Sequence, residues 1–389
     1  MAVLALGAFT TALNVTLLSP LLTSIAAEFG VTDATAGQLA TLTAGASGAM
    51  ALLVAPWMDR YSRRGWIRFE CVVLAIGSVL SAMAPGFGWL VAARVVTGIG
   101  GAVIGANCLA ALSDLYADAH QRNRAIGLIS TSFTLGSVLG LPILTQISDS
   151  FGWRWAIASP APIAMIVIAG SRWLPRTSMV VSGSRWRGWA SGYAKILRHR
   201  QTVLLLAAMT MLMVVWFGWL IYFGAYAETV FAVSAGTLSL LFLVNGGSQV
   251  VSNNIVPFLL RSRPPATIIA FAIAALTLNL LLVGLVYTRV WTVFLFVAIG
   301  GAASAVTFLG LSILLLDSLP EARGTVMSLQ SAVLEVGGAA GVAMTGLFLS
   351  RLDDYEATFR LLGVLAPLVL VFLTIGARRQ RKIAAGTTA

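Results

Sequence analysis

Charged residues are scarce in this chain. Asp, Glu, Lys and Arg make up 10% of its 389 residues, whereas about a quarter is usual for a soluble domain. Hydrophobic residues make up 58%, and the mean hydropathy is +0.91. A water-soluble fold of this length could not bury so much apolar surface. The composition therefore excludes an ordinary soluble protein and predicts one that is embedded in lipid.

Cysteine and histidine are almost absent, with two residues of each. Cys71 and Cys108 lie in apolar runs, so no disulfide framework is predicted. His120 and His199 lie in predicted loops, which excludes a histidine proton relay. The chain has no metal-ligand spacing, phosphate-binding loop or nucleophile arrangement. We therefore expect no metal, no cofactor and no enzymatic activity.

Long apolar runs recur along the sequence. Each can cross the ~30 Å of hydrocarbon in a bilayer, which takes about 20 helical residues. The runs are too long for barrel strands, and a helix satisfies its own backbone groups in lipid. The predicted fold class is therefore an all-α polytopic membrane protein. Its twelve predicted transmembrane helices cover residues 3–27, 36–58, 69–87, 88–112, 124–147, 155–173, 202–227, 236–260, 266–287, 291–316, 325–349 and 358–377.

The longest connection between predicted spans divides them into two groups of six. An offset of 201 residues pairs Arg60 with Arg261 and Gly136 with Gly337, which supports an internal repeat. The predicted domains are an N-terminal six-helix bundle (1–173), a cytoplasmic linker (174–200), a C-terminal six-helix bundle (201–377) and a cytoplasmic tail (378–389).

Basic residues are unevenly distributed between the two sides of the predicted membrane. Of the 25 Lys and Arg residues, 20 lie in the even-numbered loops, the linker and the tail. Lys and Arg are enriched in cytoplasmic loops, so both termini are predicted to be cytoplasmic, with the protein in the inner or plasma membrane. The net charge of +11 thus reflects the orientation of the chain in the membrane. We therefore expect no nucleic-acid partner.

The loop after the second predicted span reads APWMDRYSRR over residues 55–64. It resembles the G-x-x-x-D-R-x-G-R-R loop of the major facilitator superfamily, with Ala55 and Ser62 in place of the two glycines. An acid followed by arginines at the inner end of a span can pair with neighbouring groups and hold a cytoplasmic gate closed. The residues of this predicted gating motif are Asp59, Arg60, Arg63 and Arg64.

Two further motifs carry the same resemblance. The fourth span reads LVAARVVTGIGGA over residues 90–102 and is similar to the superfamily pattern L-x-x-x-R-x-x-x-G-x-G-A. Its Arg94 is costly in lipid unless it faces a partner or water, and a snorkelling arginine is the alternative. In the fifth span, Gly136, Gly140 and Pro142 resemble the G-x-x-x-G-P motif of the twelve-span drug/proton antiporter branch, with the proline displaced by one position. Close helix packing alone would also explain these glycines.

Glu335 is the acid that we cannot assign to a loop or to the end of a span. It lies ten residues past Thr325, which is about 15 Å into the eleventh span at ~1.5 Å per residue. A carboxyl group there suits a proton carrier or a counter-charge for a cationic substrate, and a structural hydrogen bond is the alternative. We expect Glu335, Asp59 and Arg94 to take part in proton coupling.

Aromatic and amide side chains are the predicted substrate contacts. The resemblance places the first, fourth, seventh and tenth spans around a central cavity. Aromatic residues on one face of the seventh span suit apolar or cationic compounds, although an interfacial belt or simple bonding between helices would explain such residues too. The predicted substrate-binding residues are Asn14, Asn107, Trp216, Trp219, Phe223 and Asn245.

These features predict a secondary transporter that works by alternating access. The resemblance implies proton-coupled efflux of small hydrophobic or cationic compounds, as in multidrug resistance. One alternative is a sugar or metabolite exporter, symporter or facilitator of the same fold. A membrane-embedded enzyme is disfavoured because the loops carry no catalytic residues. The expected partners are a small-molecule substrate, protons and the lipid bilayer, and the protein is expected to be a monomer.

Overall fold

The computed structural model describes residues 1–54, 62–102, 104–115, 119–174, 196–319 and 323–375. Within these ranges all regular structure is helical and no residue forms a β-strand. The α-helices are α1 (Ala2–Thr16), α2 (Leu22–Phe29), α3 (Asp33–Val54), α4 (Arg63–Ala82), α5 (Phe87–Gly101), α6 (Ile104–Leu115), α7 (Ala119–Phe151), α8 (Trp153–Ala158), α9 (Pro160–Gly170), α10 (Arg200–Phe231), α11 (Ala235–Leu259), α12 (Pro265–Leu281), α13 (Val290–Ser318), α14 (Arg323–Leu352), α15 (Tyr355–Leu365) and α16 (368–375).

The predicted all-α fold is confirmed. Among the described residues, seven helical segments are long and apolar enough to cross a membrane, and the bent pair Ala2–Thr16 and Ser19–Phe29 would be an eighth. Two shorter apolar helices, α5 and α12, also coincide with predicted spans. The total of twelve spans remains a prediction.

The first span is broken near its middle. Its two parts meet at an angle of 47°, and a 3₁₀ turn at Ser19–Leu21 separates α1 from α2. Pro20 lies in this turn, and proline cannot donate the backbone hydrogen bond that a continuous helix needs. α2 then ends at Gly30, whose φ of 63° is a left-handed conformation that glycine adopts readily.

α4 begins six residues before the predicted start of the third span. Ser62 is its N-cap, and the Ser62 hydroxyl accepts a hydrogen bond from the Gly65 amide at 3.1 Å. Such a cap satisfies a backbone donor that would otherwise have no partner at the helix start. The consequence is that Glu70 lies about 10 Å inside the helix, whereas a span that begins at residue 69 would put it at the span end.

The chain divides into two compact units. The first comprises Met1–Gly183 and Leu220–Leu243, and the second comprises Ser184–Trp219 and Val244–Ala389. The first unit therefore includes the end of α10 and the start of α11. The predicted bundle boundaries at residues 173 and 201 remain a prediction.

Glycines bring α5 into direct contact with its neighbours in the first unit. A Cβ atom on Gly98 would lie 2.2 Å from the Thr43 carbonyl oxygen of α3, and one on Gly100 would lie 2.2 Å from the Leu74 amide nitrogen of α4. Both distances are shorter than any real carbon contact. Only glycine at these two positions allows the three helices to approach so closely.

We predict that Gly100→Ala lowers the melting temperature of the purified protein in detergent, because the added methyl group forces α4 and α5 apart at a cost of about 1–3 kcal/mol. The matched control is Gly45→Ala in α3, where an added Cβ meets no atom within 4 Å. That variant should melt at or above the wild-type temperature, since alanine favours the helix by up to ~1 kcal/mol. Equal melting of the two variants would contradict the packing described.

Candidate functional site

Arg94 of α5 is buried in the first unit, with 1% of its surface exposed. Its Nε donates a hydrogen bond to the Thr43 hydroxyl at 3.1 Å, and that hydroxyl donates to the Leu39 carbonyl oxygen at 2.6 Å. Arg94 Nη1 is also buried and forms no hydrogen bond with any described residue. This burial is not that of a snorkelling side chain. A guanidinium group with an unused donor is costly here unless another molecule, or another conformation, supplies an acceptor.

Asn14 of α1 faces the same helix. Its amide nitrogen lies 2.8 Å from the position of a Cβ on Gly101 of α5. Asn14 Oδ1 is buried and accepts no hydrogen bond within the described part of the chain. Among the described residues, the surroundings of α5 therefore include an unused donor on Arg94 and an unused acceptor on Asn14. Substrate contact by Asn14 remains a prediction.

Glu335 lies in the middle of α14 in the second unit and is half-buried. The helix packs closely on α10 just beyond it. A Cβ on Gly338 would lie 3.1 Å from the Phe217 ring, and one on Gly341 would lie 2.2 Å from the Val214 carbonyl oxygen. The carboxyl group is thus next to a tight helix contact, deep along a membrane-spanning helix. Its coupling role remains a prediction.

The aromatic residues of α10 are packed against other rings. Trp219 is fully buried with its ring 5.6 Å from that of Phe296, and Phe223 is fully buried with its ring 5.8 Å from that of Phe242. Trp216 is half-buried and lies 6.2 Å from Phe308. Of the three predicted aromatic contacts, only Trp216 keeps exposed surface in this conformation. Substrate contact by all three remains a prediction.

Asn245 of α11 bonds neighbouring backbone and side chains. Its Nδ2 donates to the Val297 carbonyl oxygen at 3.2 Å, and its Oδ1 accepts from Gln249 Nε2 at 2.8 Å. The side chain is 2% exposed. In this conformation both polar atoms of the amide form hydrogen bonds within the second unit. This arrangement agrees with the alternative to substrate contact, namely hydrogen bonding between helices.

Asn107 of α6 has a partner that the sequence analysis missed. Its Nδ2 donates to Glu70 Oε2 at 3.0 Å, and the two residues are 0% and 2% exposed. The sequence does not single out Glu70, because the predicted third span begins at residue 69 and this acid then lies at the end of the span. The N-cap residue Ser62 was the signal that could have found the true start of α4.

The gating motif is described only in part. Asp59 and Arg60 lie outside the described residues, as does the side chain of Arg63. Arg64 Nη1 lies 3.5 Å from the Leu174 carbonyl oxygen, to which it donates. Gating by these residues remains a prediction.

The helix-5 motif belongs to α7, which packs against α1. A Cβ on Gly136 would lie 2.7 Å from the Phe9 carbonyl oxygen, and one on Gly140 would lie 2.8 Å from the Leu13 side chain. The carbonyl oxygen of Pro142 accepts a hydrogen bond from the Ser239 hydroxyl at 3.3 Å. The two glycines therefore serve close helix packing, whatever else the motif does.

A polar cavity in the first unit was not predicted from the sequence. Its volume is about 230 Å³, and the Glu228 carboxylate on its wall accepts a hydrogen bond from the Thr23 hydroxyl. The cavity is lined by Pro20, Ser24, Thr145, Ser148, Asp149, Glu228 and Ala235.

The family of the chain follows from comparison with known proteins. The profile of the Major Facilitator Superfamily matches residues 4–342. The chain belongs to this superfamily. It is therefore a membrane-spanning transporter of small molecules, and the alternative of a membrane-embedded enzyme is not supported.

Two curated relatives are similar to this member of the superfamily. A protein of Pasteurella multocida (strain Pm70) named "Probable sugar efflux transporter" is 27% identical over 330 residues, which cover 83% of this chain and 79% of the relative. An "Uncharacterized MFS-type transporter YbcL" of Bacillus subtilis (strain 168) is 30% identical over 172 residues, or 43% of each chain.

Solved structures share the fold. A point mutant of the nucleoside transporter NupG superposes with a TM-score of 0.81 at 12% identity and covers 96% of this chain and 98% of its own. A bacterial homolog of the human lysosomal transporter Spinster, inward-facing and occupied, gives a TM-score of 0.78 at 17% identity, over 97% of this chain and 96% of its own. Identities this low support the fold alone.

We predict that Thr43→Val destabilises the protein by about 1.5–3 kcal/mol, because it removes the acceptor of a charged, buried donor. Thr43→Ser keeps the hydroxyl and should retain most of the stability. The control is Thr41→Val on the same helix, whose hydroxyl forms no hydrogen bond with the described residues. Melting temperatures in detergent measure the effect. If Thr43→Val and Thr41→Val melt together, the hydrogen bond to Arg94 does not stabilise the fold.

Proposed function

We propose that this transporter exports small organic compounds in exchange for protons by alternating access. The observation that carries the proposal is the pair of ionisable groups at depth in a member of a transporter family: Arg94, buried in the first unit, and Glu335, half-buried in the second. Ionisable residues within membrane-spanning helices are expensive and are usually retained for transport.

In this mechanism Glu335 binds a proton from the outside and releases it to the cytoplasm. Asp59 and Arg94 bias the gate between the two states. Exchange requires that proton and substrate favour opposite-facing conformations, because a ligand shifts an equilibrium only by its difference in affinity for the two states. The Gly136, Gly140 and Pro142 motif supports the antiport mode, since it resembles that of the drug/proton antiporters.

The cytoplasmic termini, the monomeric state and the location in the plasma membrane belong to the same proposal.

For the substrate, two classes have support. Hydrophobic or cationic compounds are favoured by the half-buried indole of Trp216, since aromatic faces attract cations and apolar groups. A sugar is favoured by the relative named as a sugar efflux transporter, which matches 83% of this chain. The burial of Trp219 and Phe223 among other rings weakens the first class relative to the second.

Purified protein in liposomes with an imposed pH gradient tests the proposal. We predict that wild-type protein accumulates substrate against its gradient, and that Glu335→Gln lowers this accumulation by about tenfold or more, since the amide cannot carry a proton. The control is Asp353→Asn, which changes an exposed acid with a φ of 50° that asparagine tolerates. It should transport as the wild type does.

Each protein is assayed with a lipophilic cationic dye and with a labelled monosaccharide, and the class that accumulates identifies the substrate. Equal accumulation by wild type and Glu335→Gln would remove Glu335 from the coupling role. Downhill transport that ignores the pH gradient would make the protein a facilitator.

A further inference from the structure

The Glu70–Asn107 pair lies in the first unit and has no part in the mechanism described so far. It joins α4 to α6 through the 3.0 Å hydrogen bond from Asn107 Nδ2 to Glu70 Oε2. The two side chains are nearly inaccessible, with 2% and 0% of their surfaces exposed. A carboxyl group so deeply buried on a membrane-spanning helix is expensive to keep unless it is used.

Apolar side chains from five helices surround the pair. The buried cluster next to it has described members from α1, α4, α6, α7 and α9, among them Leu4, Ile104, Ile129 and Val167. A carboxyl group among apolar side chains costs free energy unless its polar atoms are hydrogen-bonded, and it costs more when it is ionised. Packing alone therefore does not account for the carboxyl group.

Titratable and charged groups lie on several of the elements that pack around the pair. Cys71 on α4 and Cys108 on α6 belong to the same buried cluster. Towards the start of α4, Arg68 Nε donates to the Ser171 hydroxyl at 2.6 Å, and Arg64 donates to the Leu174 carbonyl oxygen. The side chains of Asp114 on α6 and of Arg122 and Arg124 on α7 lie outside the described residues.

Asparagine is a partner that can serve both protonation states of a carboxyl group. Its Nδ2 donates to the carboxylate, as it does here. Its Oδ1 is buried and forms no hydrogen bond with the residues described, so it is available as an acceptor. Rotation of the amide about the Cβ–Cγ bond would present Oδ1 to the O–H of the protonated acid. The pair can thus gain and lose a proton without losing its hydrogen bond.

We propose that Glu70 is a second proton-binding residue of the transporter, in the opposite half from Glu335, with Asn107 as its positioning residue. When water from one compartment reaches the pair, a proton moves from that water to a carboxylate oxygen of Glu70. In the opposite-facing conformation the proton returns to water of the other compartment. This inference rests on the proposed function, because it assigns a further residue to proton-driven export.

The first test compares Glu70→Gln with wild type in liposomes. Gln retains an oxygen that accepts from Asn107 Nδ2 but cannot bind or release a proton. We expect gradient-driven accumulation to fall by about tenfold or more and its dependence on pH to flatten. Exchange of labelled for unlabelled substrate at equal pH should remain measurable, since it needs no net proton movement. Glu70→Asp should keep a pH dependence, and the control Glu356→Gln on α15 should behave as wild type.

Asn107→Ala tests the positioning residue. It removes both the donor and the acceptor and should shift the midpoint of the pH profile while the dependence on pH persists. A structural role alone would lower the amount of active protein and leave the midpoint in place. An unshifted midpoint would therefore overturn the assignment of Asn107.

The native thiols give a measurement that needs no variant at Glu70. Cys71 follows Glu70, Cys108 follows Asn107, and they are the only cysteines in the chain. Proton exchange requires water to reach the pair in one state, so we expect substrate or pH to change the labelling rate of these thiols by a small charged methanethiosulfonate, as measured by mass spectrometry. Thiols that resist labelling under every condition would overturn the inference, even if Glu70→Gln does not fold.

Failure of this inference can be told from failure of the proposed function. If wild type is proton-driven and Glu335→Gln is impaired while Glu70→Gln keeps the wild-type pH profile, Glu70 is not a proton site and the proposed function stands. If wild-type transport itself ignores the pH gradient, both the proposed function and the assignment of Glu70 are wrong.

Discussion

The structure depends on one constraint: a polar group within the hydrocarbon layer must find its partner inside the protein. Most polar side chains of the described residues meet it by local bonds. Thr10, Thr43, Thr97 and Thr345, for example, each donate to the carbonyl oxygen four residues earlier in their own helix. Other buried groups, such as Arg94 Nη1 and Asn14 Oδ1, have no hydrogen-bond partner among the described residues. A role of these groups in transport remains a prediction.

Much of the fold could be predicted from the sequence, because long apolar runs allow few alternatives in lipid. The start of α4 could not be predicted from hydropathy, since RRGWIR at residues 63–68 is polar enough to be taken as a loop. The Ser62 cap and the apolar cluster around Ile67 and Cys71 extend the helix by six residues. With the span start predicted six residues too late, Glu70 does not stand out as a buried acid. The prediction of functional residues in a membrane protein therefore depends strongly on how far along a span each residue is placed.

Residue roles were harder to predict than residue positions. Trp219 and Phe223 share a helical face with Trp216, yet only tertiary packing reveals that their rings are buried against Phe296 and Phe242. Asn107 and Asn245 both lie inside apolar runs of the sequence. One bonds a carboxyl group and the other bonds a backbone carbonyl, a difference that no local pattern contains. Arg94 stands out in the sequence because arginine in an apolar run is rare, and the structure shows that it is buried; its part in proton coupling remains a prediction.

The most direct test of proton exchange is the movement of protons itself. Wild-type protein is placed in liposomes that hold a pH-sensitive dye, with equal pH on both sides and an imposed gradient of substrate. If the two fluxes are coupled in opposite directions, substrate leaving the liposome draws protons in, and the interior becomes acidic until the gradients balance. Transport of substrate with no change of internal pH would contradict the central claim.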